Sequence, residues 1–333
     1  MADDHEHLFP PEPEPRRRTP AGKALAVVLV ALLVGALFNA DSLHQTAASE
    51  PIGSWQRTWA MQVTGPLKSI SDATLLNRPR KWLADTSGHG GEPAPLSTKT
   101  VVTAPPAPAS TTTTAPPPAR TPTAADPVRL LVAGDSLMGW IGPSLAKAFD
   151  GKPVEVNEDW KAATGLSRPD YVNWPARLKE GLEQYDPEVL VIGFGGNDSQ
   201  GMTTADGKVA AQHTPEWRAE YQRRVAQILD IAAKKGRTVY WLGVPLTTSA
   251  NIEKTWPDMT EGIEAEVAAR PWAHFVDTRT TLTPNGRYTA YLPDASGQQV
   301  KVRENDGVHP TPRGAEFEVA PLVEDLRKER KLR

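Results

Sequence analysis

The chain has 333 residues, 32 of them proline, and a formal charge of −3 at neutral pH. That balance offers no basic field for nucleic acid. The complete lack of cysteine excludes disulfides, thiolate metal sites and a lipid-modified N-terminal cysteine. The length suits one or two domains, and so many prolines announce a long unstructured portion beside them.

Residues 1–20 form an acidic, proline-rich leader that ends on Arg16, Arg17 and Arg18. From Ala24 to Phe38 the sequence is apolar and uncharged. With Ala21, Gly22, Asn39 and Ala40 it approaches the ~20 residues a bilayer requires. Lys23 and the three arginines precede this run, and no further Lys or Arg occurs until Arg57. The positive-inside rule therefore leaves 1–20 in the cytoplasm as a tail and sends everything beyond residue 40 outside. A cleaved signal peptide is the rival reading. The long leader speaks against it, as does bulky Phe38 next to a cut after Ala40. Residues 21–40 thus read as an uncleaved transmembrane anchor, with the membrane as a partner.

Residues 41–86 carry Trp55, Trp59, Met61, Leu67, Ile70, Leu75, Leu76 and Trp82 at mixed spacing. This predicts short amphipathic helices that lie near the membrane, dock on the following domain or bind a protein partner. Residues 87–127 shift to Pro, Thr, Ser, Ala and Gly and read as a disordered linker of polyproline character. It would reach roughly 120 Å at about 3.1 Å per residue.

From residue 128 to 333 strands and helices alternate. Strands are expected at Val128–Ala133, Pro153–Asn157, Val189–Phe194, Thr238–Gly243 and Ala273–Asp277. Helices are expected at Ile141–Phe149, Trp174–Tyr185, Glu216–Lys235 with Gly236 as its stop, Ala250–Ala269 and Ala315–Lys328. Near-continuous apolar strands alternating with helices mean a parallel sheet covered on both faces. Residues 280–304 show no strong element and read as an insertion that could serve as a lid.

Chemistry concentrates at strand ends. Gly134-Asp135-Ser136 stops the first apolar strand and enters helix-like sequence, which presents Ser136 at the carboxyl edge of the sheet. A plain helix cap has the same composition. A nucleophilic serine needs a base, a group that orients the base, and oxyanion donors. The domain offers three histidines. His274 lies inside a strand and reads as a sheet-face residue, and His213 precedes a proline and a helix start. His309 sits in Asn305-Asp306-Gly307-Val308-His309-Pro310, just before the last helix. Asp306, three residues earlier, can hold the imidazole and leave Nε2 free for the Ser136 proton. Asp4 and His7 share that spacing in the leader, so context rather than spacing favours the later pair.

Phe194-Gly195-Gly196-Asn197-Asp198 ends the third strand. It is either a simple turn or a place where backbone approaches a ligand and Asn197 offers its amide. Thr164-Gly165-Leu166 follows the second strand and could offer a backbone N–H. Asp198 fits a cap or loop-ordering role, and Asp135 fits a tie for the serine turn. Trp160, Arg168 and Trp174 either line a polar or sugar-binding cleft or belong to core and surface. No His/Asp/Glu cluster has ligand spacing, so neither metal nor cofactor is expected.

Taken together, Gly134-Asp135-Ser136, Gly165, Gly195-Gly196-Asn197-Asp198 and Asp306-Gly307-Val308-His309 resemble the four ordered blocks of the SGNH (GDSL-type) hydrolases. The resemblance spans about residues 128–327. It implies a flavodoxin-like three-layer αβα sandwich, Ser136 as nucleophile, His309 as base and Asp306 behind it. It also implies an oxyanion hole from the Ser136 and Gly165 N–H groups and the Asn197 side chain. Leu166-Ser167-Arg168-Pro169-Asp170 and Gly286-Arg287-Tyr288-Thr289-Ala290-Tyr291-Leu292 look like a membrane-anchored bacterial subgroup of unassigned function. The expectation is an extracytoplasmic, membrane-tethered serine esterase acting on a cell-envelope glycan or lipid. An envelope O-acyltransferase and a catalytically silent scaffold are the alternatives.

Overall fold

The computed structural model describes residues 21–49, 55–74, 76 and 120–332. The tail at 1–20 and the linker as far as residue 119 lie outside the described residues. The chain divides into two compact units, one holding α1 (Ala21–Phe38), α2 (Ala40–Ser49) and most of α3 (Trp55–Thr74), the other holding an α/β fold.

In the first unit α3 runs back along the other two helices. Lys68 bonds Asp41 at 2.5 Å, and Ser71 donates to the Leu37 carbonyl at 2.8 Å. Helix α1 is apolar all round, and Leu25, Val28, Leu29, Leu32 and Leu33 are all exposed. Its 18 residues make about 27 Å, slightly less than the ~30 Å hydrocarbon core of a bilayer. No helix among the described residues is long and apolar enough to cross a membrane.

The second unit is the alternating fold expected from the sequence. Its elements are β1 (Val128–Gly134), α4 (Ile141–Ala148), β2 (Val154–Trp160), α5 (Trp174–Tyr185), β3 (Val189–Gly193), the short pair β4 (Met202–Thr203) and β5 (Val209–Ala210), α6 (Pro215–Ala232), β6 (Thr238–Leu242), α7 (Ala250–Ala268), β7 (Ala273–Val276), α8 (Thr278–Leu282), β8 (Tyr291–Pro293), β9 (Gln299–Lys301) and α9 (Pro312–Glu329). Five strands form a parallel sheet in the order β2-β1-β3-β6-β7. Period-two alternation splits its side chains between two cores. Leu131, Ala133, Leu190, Ile192, Val239 and Trp241 point to the face covered by α5, α6 and α7. Leu130, Val132, Val189, Val191, Tyr240 and Leu242 point to the face covered by α4 and α9. Three layers result, with the carboxyl ends of β1 and β3 side by side.

Four sequence expectations need correction. Strand β2 continues to Trp160 because an edge strand with one neighbour tolerates the polar Glu158 and Asp159, which break any apolar run. Helix α6 stops at Ala232 rather than Lys235, and Arg237 donates to the Ala232 carbonyl, so Gly236 serves a turn and not the helix end. Helix α9 starts at Pro312, capped by Thr311, whose hydroxyl accepts from the Gly314 N–H at 3.1 Å. Residues 280–304 are more ordered than expected. The end of α8 and the β8–β9 hairpin gather Leu282, Leu292 and Val302 into a small core, and Asp294 ties the hairpin turn by accepting from Ser296 and Gln298.

Candidate active site

Gly134 ends β1 with φ +144°, and a Cβ there would lie 2.1 Å from the Gly193 carbonyl oxygen, so only glycine lets β1 and β3 meet this closely. Asp135 follows, fully buried. One carboxyl oxygen caps the single turn Ser136–Met138 by accepting from the Leu137 N–H at 2.9 Å. The other accepts from the Gly195 and Gly196 N–H groups at 3.0 and 2.9 Å. One carboxyl thus fastens the turn after β1 to the turn after β3. Burial pushes its pKa up to about 7, against the pull of these donors.

Ser136, half-buried at this edge, has its Oγ 2.8 Å from His309 Nε2. His309 Nδ1 lies 2.6 Å from Asp306 Oδ2. The other Asp306 oxygen accepts from the Val308 and His309 N–H groups at 2.8 and 3.0 Å. Burial alone would raise the Asp306 pKa. These backbone donors and the imidazole outweigh it and hold the carboxyl below its ordinary range.

The histidine loop is held from outside. Gly307 adopts φ +70° and accepts from the Thr248 N–H at 3.0 Å, while a Cβ on it would meet Thr248 Oγ1 at 2.0 Å. Arg303 is fully buried and donates to the carbonyls of Val308 at 3.2 Å and Leu246 at 2.6 Å. Sequence reading missed Arg303 and Thr248, because a lone arginine or threonine in a loop carries no spacing signal.

On the other side of the serine, Asn197 donates one amide N–H to the Thr164 carbonyl at 2.9 Å. That bond orients the side chain and leaves its second N–H for a ligand. The backbone N–H groups of Ser136 and Gly165 have no partner among the described residues. Behind them Asp198 is fully buried and accepts from the Ser167 N–H at 2.7 Å and the Tyr221 hydroxyl at 3.2 Å. Burial raises its pKa and lifts that of Tyr221 well above the ordinary value. A Cβ on Gly165 would stand 2.2 Å from Asp198 Oδ1, which explains why glycine occupies the second block.

The two other histidines of the unit lie elsewhere. His213 is bonded to Asp258 at 2.8 Å, and His274 is exposed on β7 and stacks on Tyr240. Trp174 belongs to the core, 5.0 Å from Phe194, and Arg168 is buried against Asp170. Trp160 stays on the surface beside Gly139. The described residues include no group of three or more His, Asp or Glu side chains that could hold a metal ion.

Residues 129–325 match the family described as "protein of unknown function (DUF459)". The chain belongs to that family. Among curated proteins none matches it. Solved structures similar to this family member include TesA, at 22% identity and TM-score 0.41, covering 59% of this chain and 98% of that one. A catalytic mutant of the acetylxylan esterase Axe2 from Geobacillus stearothermophilus is similar at 13% identity and TM-score 0.40, covering 61% and 94%. A GDSL-like lipase from Bacteroides thetaiotaomicron is similar at 16% identity and TM-score 0.39, covering 62% and 92%.

Proposed function

We propose that this chain is a serine esterase that works through an acyl-enzyme on Ser136. The observation that carries the reading is the unbroken relay from Asp306 through His309 to Ser136, with contacts of 2.6 and 2.8 Å. His309 Nε2 takes the hydroxyl proton as Oγ attacks the ester carbonyl, and Asp306 stabilises the imidazolium that forms. The oxyanion is met by the Ser136 and Gly165 N–H groups and the free Asn197 N–H. His309 then returns the proton to the leaving alcohol, and water repeats the sequence to release the acid. The silent-scaffold reading has no support from a site whose parts are all competent and in register.

The tether belongs to the same proposal. A helix that beyond Lys23 carries only apolar side chains, with leucines and valines exposed on every side, is unstable in water. Arg16, Arg17 and Arg18 before it and Lys23 in its first turn favour a cytoplasmic start, with the esterase outside on a linker and an acylated envelope component as substrate. The test is to quench the full-length protein during turnover of p-nitrophenyl acetate and map the acyl group by mass spectrometry. Acyl on Ser136 is expected, and acyl confined to another residue overturns the reading. Adding a glycan acceptor separates hydrolysis from transfer, because transfer yields an acylated glycan in place of free acid.

A further inference from the structure

Large apolar side chains are nearly all buried in the α/β unit. Within residues 120–332 the exposed ones are Trp140 at 45%, Trp160 at 38%, Val209 and Tyr291. The two tryptophans flank the serine turn. Trp160 ends β2 directly opposite Gly134 in the sheet register, one strand over from the strand that delivers Ser136. Its ring lies against Gly139, where a Cβ would be 3.4 Å from Cζ2 and 3.3 Å from the Ser136 carbonyl oxygen. The glycine therefore brings the indole within one residue's width of the Ser136 backbone.

Trp140 is the next residue, and stability does not account for it. It is the N-cap of α4 and makes no side-chain cap bond. Every other helix described in residues 120–332 opens on an oxygen-bearing cap: Asn173, Thr214, Ser249, Asp277 and Thr311. An uncapped start forgoes about 1 kcal/mol, and here the residue in its place is an indole turned to solvent. Among the buried tryptophans of the same unit the N–H groups of Trp174 and Trp217 are bonded, to Thr164 and to the Gln200 carbonyl, whereas that of Trp241 is not. Those of Trp140 and Trp160 have no partner among the described residues.

From these observations we infer that Trp140 and Trp160 form an aromatic platform for a sugar ring, so the substrate class is an acylated glycan. This rests on the esterase reading above. An acyl chain is best covered by enclosed apolar walls that offer no donors. A pyranose instead presents a C–H face to an indole and hydroxyls to nearby N–H groups, and two open indoles with free donors match that pattern. Glu158, exposed two residues before Trp160 and on the same face of β2, adds a carboxylate acceptor for hydroxyls.

The experiment compares the full-length wild type with Trp160→Ala, Trp160→Phe and Trp140→Ala. Three esters are used: O-acetylated xylo-oligosaccharide, p-nitrophenyl acetate and p-nitrophenyl octanoate. The expected result is a drop in kcat/KM of about tenfold on the oligosaccharide for either alanine variant, carried by KM, with Trp160→Phe largely restored and p-nitrophenyl acetate within about twofold. Equal losses on all three esters, or a loss confined to the octanoate, would overturn the sugar assignment and leave the esterase intact. Binding is measured separately by calorimetry with deacetylated xylo-oligosaccharide and chito-oligosaccharide on the Ser136→Ala protein. Saturable binding that Trp160→Ala abolishes supports the platform even if turnover is undetectable. Failure of both oligosaccharides to bind refutes it.

Discussion

Asp306 stands at the far end of the relay and spends both carboxyl oxygens, one on the imidazole and one on two backbone N–H groups. A carboxyl held below its ordinary range stays charged at neutral pH, which keeps Nδ1 protonated and Nε2 facing the serine. Asp306→Asn keeps the shape but favours the wrong tautomer. It is expected to lower kcat on p-nitrophenyl acetate by about 10³–10⁴ with KM nearly unchanged. As the proposed oxyanion donor Asn197 would act on the transition state, so Asn197→Ala should cost about 10²–10³ in kcat. A loss below tenfold in that variant would remove Asn197 from the oxyanion site. The sequence made the residue types at these positions legible, because serine, histidine and amide chemistry has few substitutes. It could not reveal that Asn197 is oriented by Thr164, since a carbonyl contact made through a loop leaves no mark in residue identity.

At the level of elements, α9 carries Glu318, which is fully buried and has Arg303 as its nearby counter-charge. Burial raises its pKa from 4.5 to about 8. Between those values the folded protein holds a proton that the unfolded chain has released, so this group makes stability fall as pH rises through the window. Glu318→Gln removes the titration. Its Tm advantage over wild type should grow from about pH 5 to about pH 8, and a constant difference would show that Glu318 stays ionised throughout. Arg303, that counter-charge, also holds the histidine loop. Arg303→Met leaves the Val308 and Leu246 carbonyls unpaired and should destabilise the fold by about 2–4 kcal/mol, read from denaturant unfolding. Long helices such as α5 and the apolar strands β1, β3 and β6 were readable because burial on one stripe or on both faces imposes periodicity. The polar end of strand β2 and the two short hairpins were not, since half-exposed polar edges and Asp-centred turns look like loop.

For the whole molecule, the proposed tether would set where the chemistry happens. Full-length protein should sediment with membranes and resist high-salt extraction, and a version lacking residues 1–40 should be released; release of the intact chain by salt alone would contradict the anchor. The alternation of strands and helices revealed the α/β layers, and the positions of Ser136, Asn197 and His309 at element ends pointed to the candidate site. The supporting shell of Asp135, Asp198, Tyr221, Thr248 and Arg303 depends on contacts between distant segments, which is why the sequence alone left most of it obscure. The proposed mechanism stands or falls with Ser136 as an activated nucleophile. Reaction of the full-length protein with a fluorophosphonate reports this directly. Stoichiometric labelling of wild type is expected, with none of Ser136→Ala, strongly slowed labelling of His309→Ala, and His213→Ala and His274→Ala unaffected. Labelling that survives Ser136→Ala would contradict the mechanism.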